Sequence, residues 1–196
     1  MTVLGSVAVF CGSSMGSRPA YRAVAAETGG LLGSRGLRLV YGGGNVGLMG
    51  ILADACIAAG GQVTGVIPQA LKDREVAHLG LEDLRVVGSM HERKALMADL
   101  ADAFIALPGG FGTFDELFEI LTWAQLGIHR KPVGLVNVEG YFDPLLAMAD
   151  RAVEDGLLRP AHRGLILVED RVEVLLDRFA GYEARDTSKW AEGLGR

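Results

Sequence analysis

An open, doubly wound parallel α/β sheet is the fold this sequence predicts, on three observations. Short β-branched runs alternate with longer stretches whose apolar residues recur at helical spacing. Several of the short runs are apolar throughout, as strands covered on both faces should be. Glycine clusters fall directly after two of those runs and before helical stretches, where ligands gather in open α/β sheets.

Seven strands are expected, at Val7–Cys11, Leu37–Tyr41, Val63–Ile67, Leu84–Val87, Ala103–Leu107, Val133–Val138 and Leu165–Val168. Helices are expected between them at Ala20–Leu32, Leu48–Ala59, His91–Leu100, Phe114–Leu126 and Pro144–Glu154. Alternation of this kind implies right-handed crossovers with helices on both faces of the sheet. With 196 residues, 49% of them hydrophobic, the chain suits one domain, residues 1–182. The polar stretch 183–196 is expected to be a mobile tail.

A net charge of −5 argues against a broad nucleic-acid surface or an anionic-membrane surface. Cys11 and Cys56 form no CxxC and no metal-ligand cluster, which suits a reducing compartment. The first basic residue is Arg18, so no charged signal-peptide start is present, and no apolar run reaches the roughly 18 residues of a membrane span. The expected location is the cytoplasm. Glycine is the compositional outlier, 28 residues or about twice the usual share.

The second strand runs into Tyr41-Gly42-Gly43-Gly44-Asn45-Val46-Gly47, in which Gly42, Gly44 and Gly47 spell G-x-G-x-x-G. A dinucleotide site would also need an acid about 20 residues on, and Gln62 to Gln69 contains none. A mononucleotide or phosphate site, or close packing of helix on strand, remain open readings. Gly43 and Gly44 are candidate phosphate contacts, as is Ser14 in the Gly12-Ser13-Ser14-Met15-Gly16 loop. That loop also matches the G-x-S-x-G nucleophile elbow, but His78, His91, His129 and His162 offer no clear triad partner.

The fifth strand runs into Leu107-Pro108-Gly109-Gly110-Phe111-Gly112-Thr113-Phe114-Asp115-Glu116. Pro108 keeps Leu107 extended and ends the strand. Three glycines then expose backbone N–H groups ahead of a helix that Thr113 is expected to open, a natural phosphate cradle. Thr113-x-x-Glu116 is equally a capping box, in which Glu116 would only close the helix start. Ser89-Met90-His91-Glu92 is a second capping box, followed by Arg93 and Lys94. Two cations at the positive end of a helix dipole are mildly unfavourable, which an anion nearby would offset. Being adjacent on a helix, only one of them is expected to face a ligand directly, and both could be plain solvated charges. His91-Glu92 starts a zinc-binding pattern that Ala95 breaks. Trp123 and Tyr141 read as packing residues.

Taken together these motifs resemble the LOG ("lonely guy") family, cytokinin riboside 5′-monophosphate phosphoribohydrolases often mislabelled lysine decarboxylases. Pro108 to Glu116 resembles its PGGxGTxxE signature. Further matches are Cys11-Gly12-Ser13-Ser14, Tyr41-Gly42-Gly43-Gly44, Val66-Ile67-Pro68, Arg74-Glu75, Met90-His91-Glu92-Arg93-Lys94 and Thr122-Trp123-Ala124-Gln125-Leu126-Gly127, an ordered set running from about Val7 to Leu158. Asn45 stands where many members carry a small residue, and Gly88-Ser89 where they carry a more polar pair.

The resemblance implies a Rossmann-like fold and hydrolysis of the N-glycosidic bond of an AMP-type nucleotide, typically N6-prenylated, to ribose 5-phosphate and a free base. The family's catalytic pair falls on Arg93 and Glu116, and its phosphate loop on Gly109, Gly110, Phe111, Gly112 and Thr113. Glu75, Lys94, Asp115 and Thr122 map to ligand-lining positions. Family members are dimers or larger with sites near the subunit interface, so a homodimer is implied. Nothing in the pattern calls for a metal or organic cofactor. A decarboxylase would need a cofactor-bearing lysine, and only Lys94 lies in a site motif. The alternative functions are a non-catalytic nucleotide or molybdenum-cofactor carrier and a single-stranded-DNA-binding protein of related fold. A carrier needs no carboxylate beside an anomeric carbon, and the charge balance opposes DNA.

Overall fold

A computed structural model describes residues 4–73 and 77–183. In chain order these form β1 (Ser6–Phe10), α1 (Pro19–Ser34), β2 (Arg38–Tyr41), α2 (Gly47–Ala58), β3 (Val63–Pro68), α3 (Gln69–Lys72), β4 (Asp83–Val87), α4 (Met90–Leu100), β5 (Ala103–Ala106), α5 (Phe111–Gln125), β6 (Val133–Val136), α6 (Asp143–Glu154), α7 (Pro160–Arg163), β7 (Ile166–Glu169) and α8 (Val172–Ala180). The strands make a seven-stranded sheet in the order β4-β3-β2-β1-β5-β6-β7. Every neighbouring pair is parallel.

The chain winds outward from β1 to β4, then returns to the other side of β1 with β5. That reversal leaves a crevice beyond the carboxyl ends of β1 and β5, the usual ligand position in such a sheet. Val7 pairs with Ala103 and Phe10 with Ala106, so the two strands end level and their following loops lie side by side.

The apolar strands divide their side chains between two cores with a period of two. Val7, Val9, Ile105 and Leu107 join the core under α1, α2 and α8. Ala8, Phe10, Phe104 and Ala106 join the core under α4 and α5. Both faces are covered, which is why these runs lack polar alternation. Glycines inside α1 set its distance from α2. A Cβ at Gly29 would come within 2.1 Å of the Leu52 carbonyl oxygen, and one at Gly33 within 2.6 Å of that of Cys56. Interior glycine costs a helix roughly 0.5–1 kcal/mol, and here it permits backbone-to-backbone contact between neighbours.

Strand positions agree with the sequence reading to within a residue or two. The start of α5 does not: it begins at Phe111 with Gly110 as its N-cap, two residues before the expected opening at Thr113. Helices α3, α7 and α8 fall where none is expected. The signal for α8 is present in the chain, since Val172, Leu175, Leu176 and Phe179 form an i, i+3, i+4, i+7 stripe and all are buried. Glu75 and residues 184–196 of the expected tail lie outside the described residues. No helix among the described residues is long and apolar enough to cross a membrane.

Candidate active site

Three loops at the carboxyl edge of the sheet are tied together by backbone hydrogen bonds. The Gly12 N–H donates to the Pro108 carbonyl at 3.1 Å, joining the loop after β1 to the loop after β5. The Leu48 N–H, at the start of α2, donates to the Gly12 carbonyl at 3.0 Å. Gly47 adopts φ +61°, and a Cβ there would stand 2.2 Å from the Ser13 backbone. A left-handed residue against a neighbouring main chain requires glycine. The N-terminus of α2 thus receives a carbonyl of its own chain.

The glycines of the G-x-G-x-x-G run pack against the protein's own atoms. The Gly43 carbonyl accepts from the His78 N–H at 2.8 Å, and Gly44 bridges Ala77. A Cβ at Gly42 would fall 1.9 Å from Nη2 of Arg93. The first glycine of the motif makes room for a guanidinium belonging to the protein itself.

Arg93 reaches that space from the first turns of α4. The N-cap half of the expected capping box forms: the Glu92 N–H donates to the Ser89 hydroxyl at 3.2 Å. The Glu92 carboxylate accepts from the Gly88 N–H at 2.9 Å, one residue before the cap. Arg93 is buried. Its Nε donates to the Val66 carbonyl at 3.1 Å, and its Nη1 lies 2.8 Å from Oε1 of Glu116. Both members of this pair are about nine-tenths enclosed.

This geometry decides what Glu116 does. The capping-box reading fails because α5 starts at Phe111, which puts Thr113 inside the helix with no side-chain cap bond. Glu116 instead pairs with a cation from another helix. Burial raises its pKa above the ordinary glutamate value, and the charge and hydrogen bonds of Arg93 pull in the opposite direction without cancelling it. Cys11, at the end of β1, is buried nearby. Burial first and the Glu116 carboxylate second push its thiol far up, which favours the protonated form.

Lys94 is also buried, so the reading of two solvated surface charges fails for both cations. Its Nζ lies 2.9 Å from Asp115 and 3.1 Å from Glu119. Burial works against the ammonium, but the hydrogen bonds and charges of the two carboxylates outweigh it and raise its pKa. The adjacent cations divide as helix geometry requires, Arg93 toward β3 and Glu116, Lys94 toward the Asp115/Glu119 side of α5. A lysine held as an ammonium between two carboxylates is not a free amine for a cofactor aldehyde.

The glycine loop after β5 has a different character. A Cβ at Gly110 or Gly112 would meet nothing within 4 Å. Phe111 between them is 92% exposed. Beneath this open rim Thr113 is buried, its hydroxyl against Gly109, where a Cβ would come within 2.0 Å of Oγ1. Ser14 is exposed in the loop after β1 and accepts a long 3.5 Å bond from the Gly16 N–H. Thr122 stands further along α5, donates to the Phe118 carbonyl at 2.7 Å, and lines an apolar groove between α5 and α6. Gly109 to Thr113, Arg93, Glu116, Lys94 and Asp115 thus gather around the α4/α5 side of the crevice. Gly43 and Gly44 are turned toward residues 77 and 78, and Thr122 toward the groove.

Sequence reasoning missed a hydroxyl. Tyr141 reads as packing, and its ring does stack edge-on with Tyr21 and Phe142. Its phenol also donates to the Gly109 carbonyl. No motif marks that residue.

A family model described as "Possible lysine decarboxylase" matches residues 49–179. The "Probable cytokinin riboside 5'-monophosphate phosphoribohydrolase LOGL9" of Oryza sativa subsp. japonica is 53% identical over 90% of this chain and 78% of its own. The cytokinin riboside 5′-monophosphate phosphoribohydrolase LOG7 of Arabidopsis thaliana is 49% identical over 90% of this chain and 82% of its own. Among solved structures, the molybdenum cofactor binding protein of Rippkaea orientalis matches with a TM-score of 0.67 at 21% identity, over 90% of this chain and 96% of that one. That likeness is one of fold. The extent of the sequence matches, on a chain whose Arg93, Glu116 and glycine loop converge at one crevice, makes this protein a member of the LOG family.

Proposed function

We propose that this chain hydrolyses the N-glycosidic bond of adenosine 5′-monophosphate or its N6-prenylated form, releasing adenine or a free cytokinin base and ribose 5-phosphate. The observation that carries this reading is the buried Arg93–Glu116 pair beside an open glycine rim at the end of β5. Cleavage of the bond passes through an oxocarbenium-like state, and a carboxylate at the anomeric carbon stabilises that charge or activates the attacking water. Glu116 takes that role. Arg93 holds the carboxylate in one orientation and offsets the cost of ionising it in a buried site. The rim at Gly110 and Gly112, at the N-terminus of α5, receives the 5′-phosphate through backbone N–H groups and the helix dipole. Binding energy at the phosphate then positions the ribose against Glu116.

The test is release of ribose 5-phosphate from AMP and from N6-isopentenyl-AMP by wild type and Glu116→Gln. The glutamine keeps the shape of the side chain and an acceptor for Arg93 but not the charge. A fall in kcat of about 10²-fold or more, with nucleotide still bound, is expected. Equal rates in the two proteins would remove Glu116 from the chemistry. Nucleotide bound by wild type but never cleaved would favour a carrier.

The chain also acts, on this reading, as a cytoplasmic homodimer. Phe118, Met148 and Leu157 are exposed and line the groove of about 390 Å³ between α5 and α6, together with Leu121 and Leu145. Covering such a patch with a second copy removes apolar surface from water. Light scattering should give twice the chain mass for wild type and the single mass for Met148→Glu, and a monomeric wild type would end the idea.

A further inference from the structure

We infer that Tyr141 is a positioning residue for the phosphate loop, locking the Gly109–Gly110 peptide in the orientation that binds an anion. This rests on the phosphoribohydrolase reading. A peptide between two glycines is the one most free to rotate, because neither flanking residue has a Cβ to restrict φ and ψ. The trans peptide is planar, so its carbonyl and N–H point in opposite directions. With the Gly109 carbonyl drawn to the Tyr141 hydroxyl, the Gly110 N–H faces away from that side. A flipped peptide would instead turn a carbonyl dipole to where the N–H stands, repelling a phosphate.

Tyr141 is itself firmly held. It follows a turn in which Glu139 and Gly140 have φ of +50° and +71°, an arrangement uncommon for a glutamate. The turn is joined to the loop after β1 by an exposed ion pair, the Arg18 guanidinium lying 3.0 Å from the Glu139 carboxylate. It is tied below by Asn137, which accepts from the Phe142 N–H and donates to Asp143, both at 2.7 Å. The Tyr141 ring lies 5.4 Å from that of Tyr21, at an interplanar angle of 76°. Tyr21 in turn lies against Gly16, where a Cβ would come within 2.8 Å of the ring. Tyr141, in the stretch after β6, therefore reaches the loop after β5 through its hydroxyl and Tyr21 of α1 through its ring.

The experiment compares wild type with Tyr141→Phe, which keeps the ring and its contacts and removes only the donor. Calorimetry measures binding of ribose 5-phosphate and of adenine, and steady-state kinetics follow AMP. Ribose 5-phosphate affinity should fall and KM for AMP should rise about five- to tenfold, with a smaller fall in kcat, while adenine affinity stays unchanged. Unchanged ribose 5-phosphate binding would overturn the inference. So would equal weakening of both ligands together with a lower unfolding temperature, the mark of a merely structural residue. Wild type that cleaves neither AMP nor N6-isopentenyl-AMP, yet binds ribose 5-phosphate in a Tyr141-dependent way, would overturn the proposed function and support this assignment.

Discussion

The loop after β2 and the loop after β5 both follow a parallel strand, both are rich in glycine and both lead into a helix. In the first, the space beside the glycines is filled by the protein. Arg93 occupies the place of a Gly42 side chain, Ile67 and Leu84 crowd Gly43, and Gly47 touches the Ser13 backbone. In the second, Gly110 and Gly112 border open space. Glycine at the first loop admits the chain's own cation to the site. Glycine at the second leaves a gap that a ligand can enter. The same residue in the same supersecondary setting thus marks either a packing constraint or a binding surface, and only the neighbouring atoms distinguish them.

Substitutions that add one methyl group break this comparison at different points. The largest effect belongs to Gly42→Ala. Its Cβ would stand 1.9 Å from Nη2 of Arg93, which is pinned between Val66 and Glu116 and can yield only by losing one of them. Displacement of the guanidinium by about 1 Å should lower kcat about 10²-fold, as measured on AMP. Activity close to wild type would show that Arg93 tolerates another position and is not a precise part of the site.

Gly47→Ala should act on stability. It combines a left-handed φ with overlap against the Ser13 backbone, and neither is relieved by a side-chain rotation. A loss of about 2 kcal/mol is expected from denaturant unfolding.

Gly112→Ala is the smallest change and separates folding from binding by sign. Gly112 sits in the first turn of α5 with open space beside it, so alanine should stabilise the fold by roughly 0.5 kcal/mol. If that space receives the phosphate, ribose 5-phosphate should bind a few-fold more weakly in the same variant. Stability gained with affinity unchanged would move the anion away from Gly112.

Legibility in the sequence followed the range of the interaction. The central strands β1, β5 and β6 could be read because a strand buried on both faces is a continuous apolar run, and each run reports its own burial. The Ser89–Glu92 cap could be read because all of its partners lie within four residues. The superficially identical Thr113–Glu116 box could not, because Glu116 turns to a guanidinium 23 positions away along the chain, on another helix. The same limit explains the miss at Tyr141, whose partner is 32 residues distant and is a carbonyl that every residue possesses.

Local chemistry in this chain therefore determined the α/β architecture, the crevice at the strand ends and the residue types available there for glycosidic chemistry. Tertiary structure alone decided that Arg93 faces Glu116 while Lys94 faces Asp115 and Glu119. It also decided that one glycine loop is filled and the other open, and that a tyrosine from beyond β6 holds the open one. The physical reason is that periodicity and turn preference are properties of neighbouring residues, whereas charge pairing and steric vacancy depend on which distant atoms the crossovers bring to the same point.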